Sequence, residues 1–177
     1  MKTEQVILVN ERDEETGLME KMEAHEKGLL HRAFSVFVFN DKNEMLLQRR
    51  AMTKYHSAGL WTNACCSHPR PGEKNEEAAN RRLLEEMGFS IPLQKKFSFI
   101  YKAELENKLT EHELDHVFSG IYNGDVKPDA EEVMEWAWKN VADIKEEIKI
   151  QPGQFTEWFK LILKDQQVNL YPTPRTE

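Results

Sequence analysis

Residues 65–88 join a short polar segment to a charged helical segment, and this junction constrains the fold and chemistry of the chain most strongly. Cys66 places a thiol two residues before the imidazole of His68. The carboxylate-rich residues 76–87 follow, with Asn75 predicted to cap a helix that Gly88 ends as a C′ glycine. Carboxylates of this kind carry divalent cations to phosphate groups. A thiol, an imidazole and carboxylates this close together therefore predict a catalytic site.

Length and charge limit the classes of protein that this chain can represent. With 177 residues, the chain is expected to form one domain over residues 1–177. A net charge of −7 argues against nonspecific nucleic-acid binding but allows an anionic small substrate where basic residues gather. Apolar runs such as residues 33–39 are too short to span a bilayer, so no membrane partner is expected. Cys65 and Cys66 are adjacent and are expected to be free thiols in a reducing cytoplasm.

Hydrophobic patterning predicts a mixed sheet with helices on its faces, which is an α/β (α+β) fold. Turn residues at 40–43 separate two extended segments, as expected of a hairpin. The predicted extended segments are residues 5–9, 33–39, 45–49, 60–64, 97–103, 114–122 and 133–138, and the later predicted helices are residues 142–148 and 154–163.

The charged segment resembles the Nudix superfamily motif G-x5-E-x7-R-E-U-x-E-E-x-G-U, in which U is an aliphatic residue. Ser67 stands where the motif has its first glycine, and Arg82 stands where it has a glutamate. The positions that match are Glu73, Arg81, Leu83, Glu85, Glu86 and Gly88.

Arg82 alters the chemistry that the motif implies. Hydrolases with this motif gather several carboxylates, and therefore several cations, to cleave a diphosphate. A guanidinium in place of one carboxylate suits binding a diphosphate without cleaving it. Arg82 and Glu86 lie one helical turn apart, on one face of the helix. A Mg²⁺ ion takes only one or two carboxylates and fills its shell with water and phosphate oxygens, so Glu86 can serve a Mg²⁺ ion that arrives with the diphosphate. The alternative is a solvated helix with ordinary Arg–Glu pairs.

A closer resemblance, over nearly the whole chain, is to the type I isopentenyl-diphosphate isomerases of this superfamily. It is carried by HRAFS at residues 31–35, by WTNACCSHP at residues 61–69, and by the departures at Ser67 and Arg82. The resemblance implies a Nudix-like mixed β-sheet between helices. It also implies interconversion of isopentenyl diphosphate and dimethylallyl diphosphate, an allylic and homoallylic pair, as a step of isoprenoid biosynthesis.

The resemblance assigns catalytic roles to four residues. Cys66 and Glu113, the latter assisted by Tyr101, are the two proton-transfer groups, and which of them acts as the acid in the forward direction stays open. Trp158 is the candidate for stabilising a tertiary carbocation through its indole face. The alternatives are a small buried cysteine and an aromatic core stripe with Phe155 and neighbouring residues of the last helix.

Metal and diphosphate sites also follow from the resemblance. His56, His112 and His116 match no ligand position and are expected to be structural. A nitrogen-rich set suits Mn²⁺ or Zn²⁺ better than Mg²⁺. The implied Mn²⁺ or Zn²⁺ ligands are His25, His31, His68, Glu111 and Glu113. The expected diphosphate-binding residues are Lys21, Arg50, Lys54 and Arg82, with Mg²⁺ on Glu86. A monomer is expected, with a dimer as the alternative.

Two other functions compete with this interpretation. A Nudix pyrophosphohydrolase acting on a nucleoside diphosphate derivative explains Glu73, Glu85 and Glu86, but it does not explain Cys66 or Arg82. A zinc-stabilised binding module is the second alternative, although structural zinc sites are usually closed and cysteine-rich.

Overall fold

The computed structural model describes residues 4–166 and 170–173. In this part of the chain, nine strands form one mixed sheet on which four α-helices pack. The strands are β1 (Gln5–Val9), β2 (Glu15–Glu20), β3 (His31–Phe39), β4 (Glu44–Arg50), β5 (Trp61–Asn63), β6 (Cys65–Ser67), β7 (Gln94–Glu104), β8 (Thr110–Ile121) and β9 (Val133–Asn140). The helices are α1 (Lys21–Lys27), α2 (Asn75–Met87), α3 (Val141–Ile150) and α4 (Glu157–Gln166).

Strand β3 is the centre of the sheet. It pairs in parallel with β8 along its whole length, from His31 opposite Glu113 to Phe39 opposite Ile121. It also pairs antiparallel with β1, β6 and β4. Strand β7 extends the sheet beyond β8, and β9 pairs with β4. The mixed sheet between helices predicted from the sequence is therefore confirmed.

The two faces of β3 enter two separate hydrophobic cores, because successive side chains of a strand point to opposite faces. Val36 and Val38 pack in one core with Leu83 of α2. Phe37 packs in the other core with Phe159 of α4. A fully buried side chain of this size contributes about 1.5–3 kcal/mol to folding. These contacts fix α2 on one face of the sheet and α4 on the other.

Helix α2 matches the predicted residues 76–87 with one correction at its start. Asn75 is the first helical residue and does not cap the helix. Lys74 occupies the N-cap position, and its side chain makes no capping hydrogen bond. Gly88 ends the helix as predicted, with a φ of 82°. A Cβ atom at Gly88 would lie 2.3 Å from the carbonyl oxygen of Lys127, so the close approach requires glycine.

The sequence interpretation missed β2, β6 and α1 and started the last helix too early. Helix α1 has only seven residues, which is too short for a periodic signal, and Gly28 ends it with a φ of 61°. Pro152–Gln154 forms a separate 3₁₀ turn, so α4 begins at Glu157 rather than at residue 154. No helix in residues 4–166 and 170–173 is long and apolar enough to cross a membrane.

Candidate active site

Three side chains that the sequence predicts to be functional form one row across β3, β8 and β7. Glu113 lies opposite His31 in the parallel pair and opposite Tyr101 in the antiparallel pair. The Tyr101 hydroxyl donates to Glu113 Oε2 over 2.6 Å, while Glu113 Oε1 lies 3.5 Å from His31 Nε2. The sheet register therefore gives each oxygen of Glu113 a different neighbour.

Four buried donor groups meet at this row. Nε2 of His68 lies 3.0 Å from Glu113 Oε1 and 3.2 Å from His31 Nε2. His25 joins them from α1, and one ligand atom from each of the four residues lies within 4.8 Å of all the others. Three imidazoles and one carboxylate are a donor set that suits a divalent transition metal.

The orientation of two of these imidazoles also fits a metal. His25 Nδ1 lies 2.7 Å from the Lys21 carbonyl oxygen, and His31 Nδ1 lies 2.8 Å from that of Leu29. Hydrogen bonds of this kind leave Nε2 as the ligand atom. Nε2 of His25 is buried without a hydrogen-bond partner. Burial and the neighbouring His68 lower the pKa of His25 to about 4, so the ring is neutral at pH 7, as a ligand must be.

Glu111 lies outside this compact group of four. Its Oε2 is 3.1 Å from the Tyr101 hydroxyl, and its Oε1 is 3.3 Å from His56 Nε2. Donor atoms of His25, His56 and Glu111 form a second group within 4.8 Å, which shares His25 with the first. His56, expected to be only structural, therefore lies at the site. No spacing signal could reveal this, because His56 lies in the loop between β4 and β5.

A cavity of about 270 Å³ opens beside these groups. Its volume suits a small ligand. His25, His31 and Tyr101 do not line the cavity. Of the residues predicted to be functional, those that line the cavity are Lys21, Arg50, Lys54, Cys66, His68, Arg82, Glu86, Glu111, Glu113 and Trp158.

Arg50 is the strongest indication of an anionic ligand. Arg50 is only 7% exposed. Its Nη2 donates to the His56 carbonyl oxygen over 3.1 Å, while its Nε is buried without a hydrogen-bond partner. None of the ion pairs among the described residues involves Arg50. A buried cation without a counter-ion is costly, so an anion in the cavity would complete this site.

The other three basic residues already have carboxylate partners. Lys21 Nζ lies 2.5 Å from Glu4 Oε2, and Lys54 pairs with Glu132. Arg82 also reaches Glu132, over 3.1 Å. A diphosphate in the cavity would therefore compete with these carboxylates for the same cations.

Helix α2 presents Arg82 and Glu86 on one face. Arg82 Nη2 donates to Glu86 Oε1 over 2.7 Å, and Gln48 Nε2 donates to Glu86 Oε2 over 2.8 Å. Glu86 is only 4% exposed, so both oxygens are fixed. Outside the cavity, Arg81 forms a bidentate pair with Glu73, at 2.7 and 2.9 Å.

The neighbouring cysteines point to opposite faces of the sheet. Cys65 is fully buried in the core beneath α2, whereas Cys66 lines the cavity. Both are free thiols. Burial raises the pKa of the Cys66 thiol, with a further contribution from Glu86, so the thiol is protonated. Burial alone would raise the pKa of Glu113, but its contacts with His31 and His68 lower it overall, so this carboxylate is ionised.

Trp158 forms one wall of the cavity while packing in the core of α4. The residue is 2% exposed, and its Nε1 donates to Asn63 Oδ1 over 3.2 Å. The Arg50 guanidinium lies 5.5 Å from the centre of the indole ring. These contacts fix the plane of the ring.

Comparison with known proteins identifies the domain family and the fold. The NUDIX domain family matches residues 29–159. A crystal structure from Deinococcus radiodurans shares the fold, with a TM-score of 0.76 at 18% identity over 92% of this chain and 99% of that chain. A MutT protein from Methanosarcina mazei has a TM-score of 0.63 at 20% identity, over 76% of this chain and 91% of its own.

Proteins with a higher sequence identity to this chain identify its family within the NUDIX-domain proteins. A protein of Serratia proteamaculans, named isopentenyl-diphosphate Delta-isomerase, is 48% identical over 94% of this chain and 93% of its own length. Isopentenyl-diphosphate Delta-isomerase 2 of Photorhabdus laumondii is 51% identical over 89% of each chain. The chain therefore belongs to the isopentenyl-diphosphate Delta-isomerase family of NUDIX-domain proteins.

Proposed function

We propose that this protein interconverts isopentenyl diphosphate and dimethylallyl diphosphate. One observation carries the proposal. The protonated thiol of Cys66, the ionised carboxylate of Glu113 and the buried guanidinium of Arg50, which has no carboxylate partner among the described residues, all border one small cavity. The names of relatives 48–51% identical to the chain point the same way.

The reaction needs one acid and one base. The acid transfers a proton to the terminal alkene carbon, the π electrons form the new C–H bond, and a tertiary carbocation remains. The base then removes a proton from the neighbouring methylene, and the electrons of that C–H bond form the new double bond. Cys66 and Glu113 divide these two roles, which are exchanged when the reaction runs backwards.

Tyr101 and Trp158 support these steps in different ways. The Tyr101 hydroxyl holds Glu113 Oε2 and limits its rotation. The indole of Trp158 offers its π face to a developing positive charge and, unlike a carboxylate or water, does not form a bond with it. Because the ring is buried, it also helps to keep water from the carbocation.

The diphosphate and two cations complete the proposed site. Arg50, Lys21, Lys54 and Arg82 would bind the diphosphate, and Glu86 would hold the Mg²⁺ that accompanies it. His25, His31, His68 and Glu113 would hold Mn²⁺ or Zn²⁺, together with Glu111. A divalent ion bound there would withdraw negative charge from the carboxylates and so tune the acidity of Glu113.

The pyrophosphohydrolase alternative is weaker for an electrostatic reason. Arg82 donates to Glu85 Oε2 over 2.6 Å and to Glu86 Oε1 over 2.7 Å. The guanidinium thus neutralises carboxylates that a hydrolase of this fold would use for several cations. A purely structural zinc site is also disfavoured, since two large cores already stabilise the sheet.

Proton NMR tests the proposed reaction directly. The protein is incubated with isopentenyl diphosphate and Mg²⁺ in D₂O, and we expect dimethylallyl signals to appear with deuterium incorporated into carbon positions. Release of a nucleoside monophosphate from a nucleoside diphosphate derivative, without change in isopentenyl diphosphate, would instead support the hydrolase.

The two free thiols also bear on where the protein acts in the cell. We place the reaction in the cytoplasm, because two free thiols at and beside the site persist best under reducing conditions. We also propose that residues 1–177 act as one domain and as a monomer on a small-molecule allylic or homoallylic diphosphate, with no nucleic-acid or membrane partner.

A further inference from the structure

His56 lines the cavity, and the proposed reaction assigns it no role. It lies in the loop of residues 51–60, between β4 and β5, and is only 4% exposed. Its ring centre lies 5.9 Å from that of His25, at an interplanar angle of 29°. Its ring centre also lies 6.0 Å from that of the Trp158 indole, with the two ring planes at 89°. One side chain therefore contacts both a proposed metal ligand and the proposed carbocation stabiliser.

The two ring nitrogens of His56 have complementary partners. Nε2 lies 3.3 Å from Glu111 Oε1, and Nδ1 lies 3.2 Å from Ser57 Oγ. A neutral imidazole has one N–H donor and one acceptor. With the proton on Nε2, His56 accepts from the Ser57 hydroxyl and carries its N–H on the nitrogen that lies 3.3 Å from Glu111 Oε1, so a single tautomer suits both contacts.

The backbone of the loop is held at the same place. The carbonyl oxygen of His56 accepts from Arg50 Nη2 over 3.1 Å. The next backbone amide, that of Ser57, donates to the carboxylate of Glu106. The backbone that carries the His56 ring is thus held by two side chains, as the support of a group that orients another side chain must be.

Glu111 is the side chain that needs this orientation. It stands apart from the four-donor group of His25, His31, His68 and Glu113, and its Oε2 already faces the Tyr101 hydroxyl. Among the described residues, Oε1 accepts no hydrogen bond, and His56 Nε2 lies within ion-pair distance of it, at 3.3 Å. Metal-binding carboxylates are usually held by outer hydrogen bonds of this type.

We propose that His56 is a positioning residue that donates from Nε2 to Glu111 and holds this carboxylate in the orientation required for metal binding. The inference deepens the proposed function, because it rests on the proposed His/Glu metal site. His56 acts from outside the coordination sphere in this proposal. The competing possibility, in which His56 itself ligates the metal together with His25, is an outcome of the test.

The test measures metal binding without substrate, so it does not depend on isomerase activity. Zn²⁺ affinity is determined by chelator competition for the wild-type protein and for His56→Phe and His56→Gln. We expect His56→Phe to bind Zn²⁺ about 10- to 100-fold more weakly, as loss of an outer hydrogen bond typically does. His56→Gln retains an N–H donor and should recover part of this loss, which a purely space-filling role would not produce.

A double-mutant cycle identifies the partner. In a Glu111→Gln background, His56→Phe should add little further loss of affinity, because its effect passes through Glu111. The matched control is His112→Gln: His112 lies between Glu111 and Glu113 in sequence, but its ring contacts the Gly28 carbonyl oxygen on the other face of β8. We expect the control to bind Zn²⁺ like the wild type.

Two results would overturn the proposal. One is wild-type Zn²⁺ affinity in folded His56→Gln and His56→Phe. The other is a Co²⁺-substituted wild-type protein whose visible absorption bands change in His56→Gln as they do in His25→Gln, since this would make His56 a direct ligand. Failure of the NMR assay with intact Zn²⁺ results would instead refute only the proposed isomerase function.

Discussion

Tyr101 and Glu113 face each other across β7 and β8 and share a hydrogen bond of 2.6 Å. The hydroxyl reaches Glu113 Oε2, while Oε1 of the same carboxylate points to His68. One carboxylate thereby faces a proposed metal ligand with one oxygen and a fixed hydroxyl with the other. The sheet register, rather than a flexible loop, sets the orientation of a proposed proton-transfer group.

We predict that Tyr101→Phe lowers kcat for isomerisation about 10- to 100-fold. A hydrogen bond to an ionised group is worth about 1.5–3 kcal/mol, and its loss leaves Glu113 free to rotate. The measurement is steady-state kinetics on protein whose circular dichroism matches the wild type. Tyr122→Phe is the control, because the Tyr122 hydroxyl bonds only the Asp125 carbonyl oxygen at an exposed turn. An unchanged kcat in Tyr101→Phe would remove Tyr101 from the mechanism.

The two cysteines give a second, internally controlled prediction. Cys66→Ala should reduce isomerisation by at least ~10²-fold, the usual contribution of a proton-transfer group, with little loss of stability. Cys65→Ala should keep its activity and lose only the stability associated with a small cavity beneath α2. Rates and urea midpoints of the two variants are compared. Similar activities would contradict the assignment of Cys66.

Local patterns in the sequence predicted most of the elements, but not which distant groups meet. Residues 76–87 and Gly88 carry their own helical signals, so α2 could be predicted. Assignment of Cys66 and His68 rested on one contiguous motif. In contrast, His31 meets Glu113 only because β3 and β8 pair in one particular parallel register, 82 residues apart in the chain. A register shift of one residue would turn Glu113 to the opposite face.

The position of Glu111 and His56 shows the same limit. Glu111 and Glu113 lie on one face of β8, as their spacing predicts, yet only Glu113 joins the compact group of four donors. The difference arises from rings contributed by α1 and by the 51–60 loop. Neither segment has a length or pattern from which its approach to β8 could be derived.

Removal of individual ligands should separate the two cation sites. Substrate-free wild-type protein is expected to contain roughly one transition metal per chain. His68→Ala should lose most of this metal, because His68 is within 3.2 Å of His31 Nε2 and of Glu113 Oε1. Glu86→Gln should keep the metal but need more Mg²⁺ to bind the diphosphate. Elemental analysis and Mg²⁺ titrations measure the two effects, and full metal content in His68→Ala would refute the first site.

A pH-dependent contribution to stability is expected from His116, away from the metal ligands. Burial lowers the pKa of His116, and its ring faces Asp13, with Nε2 3.0 Å from Oδ2, as well as Lys95 and Arg32. The unfolded chain binds a proton near the ordinary histidine pKa of ~6.5, whereas the folded chain binds it only at lower pH. The free energy of unfolding therefore falls as pH drops below ~6.5.

Replacing this histidine should flatten that dependence. Between pH 7.5 and 5.5, His116→Gln should lose less stability than the wild type, by at most about 1.4 kcal/mol. Urea unfolding of the metal-free proteins at the two pH values measures the difference. His112→Gln serves as the control on the same strand. Identical losses in the wild type and His116→Gln would contradict the expected contribution.

Trp158 is predicted to act on the carbocation rather than on substrate binding. A positive centre develops only in the transition state, so contact with the indole face should lower the barrier more than it tightens the substrate. Trp158→Phe keeps a weaker aromatic face and should lose rate modestly. Trp158→Leu keeps apolar bulk without a π face and should lose about thirtyfold in kcat at similar KM, since cation–π attraction in a dry site is on the order of 2 kcal/mol.

Both variants also lose the bond to Asn63, so this loss is common to them and cancels in the comparison. Equal rates in folded Phe and Leu variants would show that Trp158 only packs in the core.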